Sequence, residues 1–149
     1  MFARINHMAM ISSDYPLLER YYRSLFGFVN SKENDAEAST VVGDGNVGLN
    51  ILPRRDGYVG GIDHFGMVVE SMTEVEERMK KASSKAGMVK RPSYRPFAAY
   101  SAHDPDGNVF DLAEKKGENL KDVYAERDGE DRDAMFNRFA IRTVNAEEA

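Results

Sequence analysis

The strongest constraint on this chain is that its wording occurs twice. Ile5-Asn6-His7-Met8-Ala9-Met10 is echoed by Ile62-Asp63-His64-Phe65-Gly66-Met67, and Asp44-Gly45-Asn46-Val47 by Asp106-Gly107-Asn108-Val109. Internal similarity of this kind marks a duplicated supersecondary unit whose copies bury a common core. Each copy opens on a short apolar run that carries a histidine and closes on a hairpin signal, Asp-Gly or Gly-Asn, that leads into a last strand.

Helix signals fall at matching places inside the two copies. Residues 14–26 read as a helix: Asp14 caps, Pro16 suits the first turn, Leu17, Leu18, Tyr21 and Leu25 recur at helical spacing, and Gly27 supplies a left-handed exit. Residues 73–86 read as a second, with Ser71-x-x-Glu74 as a capping box, Val75 and Met79 on one face, and Gly87 as the stop. Strands are expected at residues 5–11, 39–42 and 47–52, and again at 62–69, 97–103 and 109–113. The order is strand, helix, several strands, written twice. The Gly-containing link between the halves, residues 53–61, is too short for a tether, so residues 1–116 form one domain of two modules, 1–54 and 60–116. Residues 117–149 form a C-terminal extension, charge-dense up to residue 133. Its segment 137–145 echoes the module openings with Arg138 at the histidine position, and reads either as the start of a third repeat or as a tail docking on its own domain.

Composition excludes several classes of function. At 149 residues the chain suits a single core, and 42% hydrophobic with 30% charged residues is ordinary for a folded domain. No run of about twenty apolar residues and no signal-peptide pattern is present, so a cytoplasmic protein without a membrane partner is expected. The absence of cysteine removes thiolate nucleophiles and sulfur-ligated metal sites, leaving nitrogen and oxygen donors for any metal. A net charge of −5 and no Lys/Arg stripe argue against nucleic acid.

All three histidines lie on strand segments. His7 and His64 occupy equivalent repeat positions, and approximate two-fold packing of the modules brings such positions together across one cleft. Asp111 sits among apolar residues in Val109-Phe110-Asp111-Leu112-Ala113, where a carboxylate needs a hydrogen bond, a proton or a cation. Its counterpart in the first module is Asn50. The two are offset by one residue from the shared Asp-Gly-Asn-Val, so equating them calls for a bulge, with Gly48 as the candidate.

The doubled module, the helix end Tyr22-Arg23-Ser24-Leu25-Phe26-Gly27-Phe28, the strand Ile62-Asp63-His64-Phe65 and above all Asp104-Pro105-Asp106-Gly107-Asn108-Val109-Phe110-Asp111-Leu112 resemble the vicinal oxygen chelate superfamily of glyoxalases, extradiol dioxygenases, epimerases and bleomycin-resistance proteins. The resemblance covers residues 3 to 115. It implies an α+β fold in which two βαβββ modules form a cupped mixed sheet with helices outside. It also implies a homodimer, and a divalent metal held at His7, His64 and Asp111, with Asn50 at the place of a fourth ligand in some members. Two histidines and one carboxylate make the facial triad of ferrous oxygenases. The resemblance therefore points first to ring cleavage by a dioxygenase on Fe2+, with Mn2+, Zn2+ or Ni2+ as other occupants and a small molecule with vicinal oxygens as substrate. Three departures stand out. Asn50 replaces the acidic residue or Gln of glyoxalase-type isomerases, Asp111 is one methylene shorter than the usual Glu, and Tyr100 lies one residue further from Asp104-Pro105 than in the extradiol signature.

His103 and Tyr100 are the candidate catalytic acid/base groups, His103 having the packed turn residue as its alternative. Arg91 or Arg95, in the basic segment 90–96, could meet an anionic substrate, and Tyr58, Phe65, Tyr94, Phe97 and Tyr100 could line an apolar pocket. A lyase or isomerase using the same cation, and a metal-free binding protein with an aromatic cleft, are the competing readings.

Overall fold

A computed structural model describes residues 2–30, 40–44, 47–82, 87–93, 95, 97–117 and 138–140. The first module comprises β1 (Ala3–Ser12), α1 (Tyr15–Phe26), β2 (Val29–Asn30), β3 (Thr40–Gly43) and β4 (Gly48–Pro53). The second comprises β5 (Gly61–Val69), α2 (Met72–Ala82), β6 (Val89–Lys90), β7 (Tyr100–His103) and β8 (Val109–Glu114). All eight strands join one mixed sheet in the order β2-β3-β4-β1-β5-β8-β7-β6. The opening strands β1 and β5 pair antiparallel at its centre, and each runs parallel to the closing strand of its own module. The duplicated sequence thus becomes an approximately two-fold sheet within one chain.

Alternation of side chains gives the sheet two unlike faces. On the outer face Met8 and Met10 join Leu49, Ile51, Val42 and Phe28 beneath Leu18 and Tyr22 of α1. Val69, Leu112, Met67, Phe110 and Tyr100 gather under Val75 and Met79 of α2. Asp14 caps α1 by accepting from Leu17 N at 3.0 Å, and Gly27 ends it at φ 66°. Ser71 caps α2 by accepting from Glu74 N at 3.3 Å. Of the apolar positions that marked α1 in the sequence, only Leu18 faces the core. Leu17, Tyr21 and Leu25 are more than half exposed, because the buried stripe is Tyr15-Leu18-Tyr22. No helix among the described residues is long and apolar enough to cross a membrane.

Three sequence expectations shift. The two-residue strands β2 and β6 are too short to leave a pattern. The strand expected over 97–103 begins only at Tyr100, because Phe97 adopts a left-handed backbone with φ 63°. No bulge occurs at Gly48: β4 pairs continuously with β1 from Gly48 to Pro53. The one-residue offset is instead taken up before the strand. Asp44 Oδ1 accepts from Val47 N at 2.7 Å, the part that Asp104 plays in the second hairpin, where Asp104 Oδ1 accepts from Asp106 N and Asn108 N. Asp44 is therefore the structural partner of Asp104, although its wording matches Asp106. In the C-terminal extension only 117 and 138–140 are described. Residues 138–140 are in no strand, and Phe139 packs its ring on Phe65 at 4.8 Å on the outer face. The remainder of the suggested third repeat lies outside the described residues.

Candidate metal centre

Register explains how residues distant in sequence meet on the inner face. Gly48, His7, Gly66, Asp111 and Ser101 form one row across β4, β1, β5, β8 and β7, and Asn50, Ala9, His64, Val109 and His103 form the adjacent row. Because His7 and His64 belong to neighbouring rows on adjacent strands, they face each other diagonally, with ring centroids 5.3 Å apart. In these pairings Asn50 stands to His7 as Asp111 stands to His64, one row further along, so the two are true counterparts.

Two β-bulges aim the rings. Where β1 and β5 pair, Asn6 is the extra residue between the partners Ile5–Met67 and His7–Gly66, and Asp63 is the extra residue between Ala9–His64 and Met10–Ile62. A bulge re-aims side chains that regular pleating would send to opposite faces. Each bulged residue consequently reaches the ring that follows it. Asn6 Oδ1 accepts from His7 Nδ1 at 2.8 Å, and Asp63 Oδ2 from His64 Nδ1 at 2.7 Å. An amide or carboxylate oxygen only accepts, so both Nδ1 atoms carry the proton and both Nε2 atoms point inward.

The two Nε2 atoms converge on one carboxylate oxygen. Asp111 Oδ2 lies 3.3 Å from His64 Nε2 and 3.8 Å from His7 Nε2, while Oδ1 accepts from the Ser101 hydroxyl, which in turn accepts from Arg91 Nε at 2.6 Å. One ligand atom from each of His7, His64 and Asp111 fits within 4.8 Å of the others, and all three side chains are buried. Phe97 stacks on the His7 ring at 5.1 Å, and the ring also lies against Gly66, where an added Cβ would overlap His7 Cε1 and Nδ1.

Electrostatics divides the cluster unevenly. Burial, then the charge of His64, push the His7 imidazole down to about 3 against the pull of Asp111. Burial also opposes a charge on His64, but hydrogen bonds to Asp111 and Asp63 outweigh it and raise its pKa. Burial would raise Asp111; the hydrogen bond and charge of His64, with the Ser101 hydroxyl, hold it down to about 2. Within one cluster, burial thus favours the neutral form of His7, while Asp111 and Asp63 favour the charged form of His64.

Of the other sequence candidates, His103 and Tyr100 stand apart, whereas Arg91 and Arg95 reach the cluster. His103 is exposed, and its Nδ1 donates to Gly107 O at 3.2 Å in the hairpin. Tyr100 precedes the inward Ser101 and so faces outward, packed with Met79 and Met88 near α2. Arg95 Nη2 is 3.8 Å from Asp111 Oδ2. Sequence reading missed Asn6, Asp63, Gly66 and Ser101; the signal available for the first two was the polar residue before the histidine in both repeats.

Comparison with known proteins agrees with this architecture. A search of curated proteins finds no match. A hypothetical protein from Bacillus halodurans C-125 superposes with a TM-score of 0.60 at 14% identity, over 76% of this chain and 95% of its own. Streptomyces coelicolor methylmalonyl-CoA epimerase in complex with 2-nitronate-propionyl-CoA gives 0.59 at 13% identity, over 78% and 100%. The 2,3-dioxygenase LapB from Pseudomonas sp. KL28 gives 0.60 at 16% identity, over 74% of this chain but 40% of that longer one. These likenesses concern the fold. The profile of a single family matches residues 4–112, nearly the whole two-module sheet, and on that match the chain belongs to the Glyoxalase/Bleomycin resistance protein/Dioxygenase superfamily.

Proposed function

We propose that this chain is a metal-dependent enzyme in which His7, His64 and Asp111 hold a divalent cation, Fe2+ foremost, to act on a small molecule with vicinal oxygens, by ring cleavage of the dioxygenase type. The observation that carries this reading is the convergence of His7 Nε2, His64 Nε2 and Asp111 Oδ2 in a buried cluster. The donor set fits a cation: two imidazoles with their Nδ1 protons tied back and one carboxylate are the ligands of the ferrous facial triad. Asn50 Oδ1, at the register position equivalent to Asp111, is buried without a hydrogen-bond partner among the described residues, a second sign of a group that such atoms would meet.

A cation held there would polarise the vicinal oxygens and stabilise negative charge developing on them. The chain's own residues supply the rest. Asn6 and Asp63 fix the tautomer and orientation of the rings, Ser101 and Arg91 hold the carboxylate, and Phe97 keeps water from the His7 side of the centre. Homodimerisation, implied by the resemblance, is supported by the exposed Leu17, Tyr21 and Leu25 on α1.

The test is metal analysis by plasma mass spectrometry on protein purified without chelator or nickel resin, beside His7→Ala, with the mass in solution read by light scattering. Near-stoichiometric metal in the parent and its loss in the variant are expected, and oxygen uptake with catechols then examines ring cleavage. A parent that holds no metal, even after anaerobic loading with ferrous iron, would overturn the enzyme reading in favour of a metal-free binding protein.

A further inference from the structure

The outer face of the sheet keeps an apolar strip between its two helices. The register of β1 with β5 sets Ile5 opposite Met67, Met8 opposite Phe65 and Met10 opposite Ile62, all on that face. Helix α1 packs over Val42, Leu49 and Ile51 on one side and α2 over Val69 and Leu112 on the other. Between them Ile5 stays 39% and Ile62 52% exposed. Phe110 stands opposite Phe65 across the β5–β8 pair, with ring centroids 5.9 Å apart and planes inclined by 27°. The strip is therefore floored by a stacked aromatic pair.

A segment of the chain is seated on that floor. The Phe139 ring lies 4.8 Å from the Phe65 ring at an interplanar angle of 37°, within the range in which aromatic pairs attract. Arg138 and Ala140 on either side are exposed and Phe139 is partly buried, so the segment 138–140 meets the sheet through one anchoring ring. Ring and floor belong to one chain, and a covalent tether raises the local concentration of its own Phe139 above that of a second copy.

The floor lies directly behind the centre. Successive residues of a strand point to opposite faces. Phe65, between His64 and Gly66, and Phe110, next to Asp111, thus cover the back of the strand pair that brings His64 Nε2 to 3.3 Å from Asp111 Oδ2. That pair is parallel, a pairing slightly less stable per residue than an antiparallel one. A ring that covers Phe65 shields from water the stack that spans the two strands.

We propose that the strip is the docking site of the chain's own C-terminal extension, anchored by Phe139, and that docking clamps β5 to β8. Phe139 is then a positioning residue for His64 and Asp111. The clamp belongs to the metal-free fold and does not depend on a bound cation.

The chain has no tryptophan, so Phe139→Trp introduces a single indole whose emission reports docking. Emission should be blue-shifted from that of free tryptophan, and should move back when Phe65→Ala removes the floor. Hydrogen exchange is compared in the parent, Phe139→Ala and Phe139→Leu. Phe139→Ala should speed exchange in β5 and β8 by about threefold or more with β3 and β4 unchanged, and Phe139→Leu should keep part of the protection. Such a local rise supports docking even where the larger indole does not fit. Unchanged exchange, or an equal rise in all four strands, overturns the clamp, and a solvent-like indole with unchanged exchange overturns the docking itself. Co-refolding Phe139→Trp/Phe65→Ala chains with Phe139→Ala chains should leave the emission red. A restored blue shift would mean that a second copy supplies the ring, which overturns the assignment to the same chain.

Discussion

Gly66 sets a tight tolerance at the centre. It faces His7 across the β1–β5 pair, and a methyl group there would stand 2.0 and 2.2 Å from two atoms of the ring. Backbone in the middle of the sheet cannot retreat, and Phe97 stacks on the ring at 5.1 Å, so the imidazole would have to leave its position. Gly66→Ala should lower stability by about 1–3 kcal/mol, the usual range for overpacking, and should impair metal uptake by turning Nε2 away from Asp111. Thermal melting and a metal titration check both effects; uptake equal to the parent's would mean that the ring has another place to sit. At this scale the sequence was informative about ligands and silent about what holds them. Two histidines at repeat-equivalent positions and one acid among apolar residues could be picked out, since their types are rare in such surroundings. Gly66 could not, because its meaning is a distance to a residue on another strand. Ser101 could not either, since a hydroxyl opposite a carboxylate becomes visible only when the register of β7 and β8 is known.

The elements explain why both histidines present the same nitrogen. Regular pleating would turn Asn6 and Asp63 away from the rings they hold, and the bulges of β1 and β5 bring them back. The duplication of the bulge matters as much as the duplication of the histidine, yet the partners differ, a neutral amide for His7 and a carboxylate for His64. Removing the carboxylate in Asp63→Ala leaves the His64 Nδ1 proton without its acceptor. Metal affinity should fall 10- to 100-fold, the common cost of losing such a support, with little change in melting temperature because the Asp63 side chain is 31% exposed. Unaltered affinity in a competition titration with a chromogenic chelator would show that β5 alone aims the ring. Periodicity made β1, β5, α1 and α2 legible, since each is long enough to alternate or recur. The bulges were hidden for the opposite reason: one extra residue in a strand leaves only a polar residue where either face would accept one.

At the scale of the whole molecule, folding shifts two equivalent histidines in opposite directions, and stability must follow pH accordingly. His7, down to about 3 in the folded chain from an ordinary 6.5, stays neutral while the unfolded chain takes up a proton. The unfolded state therefore binds more protons between those values, and stability falls as pH drops through that window, with a slope of up to about 1.4 kcal/mol per pH unit for one proton. His64 acts in the opposite sense. Its raised value means that the folded chain holds the extra proton above 6.5, so the stability from its ion pair with Asp111 is fully present below 6.5 and is lost as pH rises through the folded value. The metal-free protein should be most stable near neutrality and lose stability on both sides. A cation bound at the cluster would take the place of the proton on His64 Nε2, so its uptake would release that proton and the alkaline loss should disappear in the loaded form. Urea unfolding from pH 4 to 9, with and without zinc, measures both limbs. An alkaline limb equally steep in the two forms would mean that the cation does not occupy the nitrogen that faces Asp111.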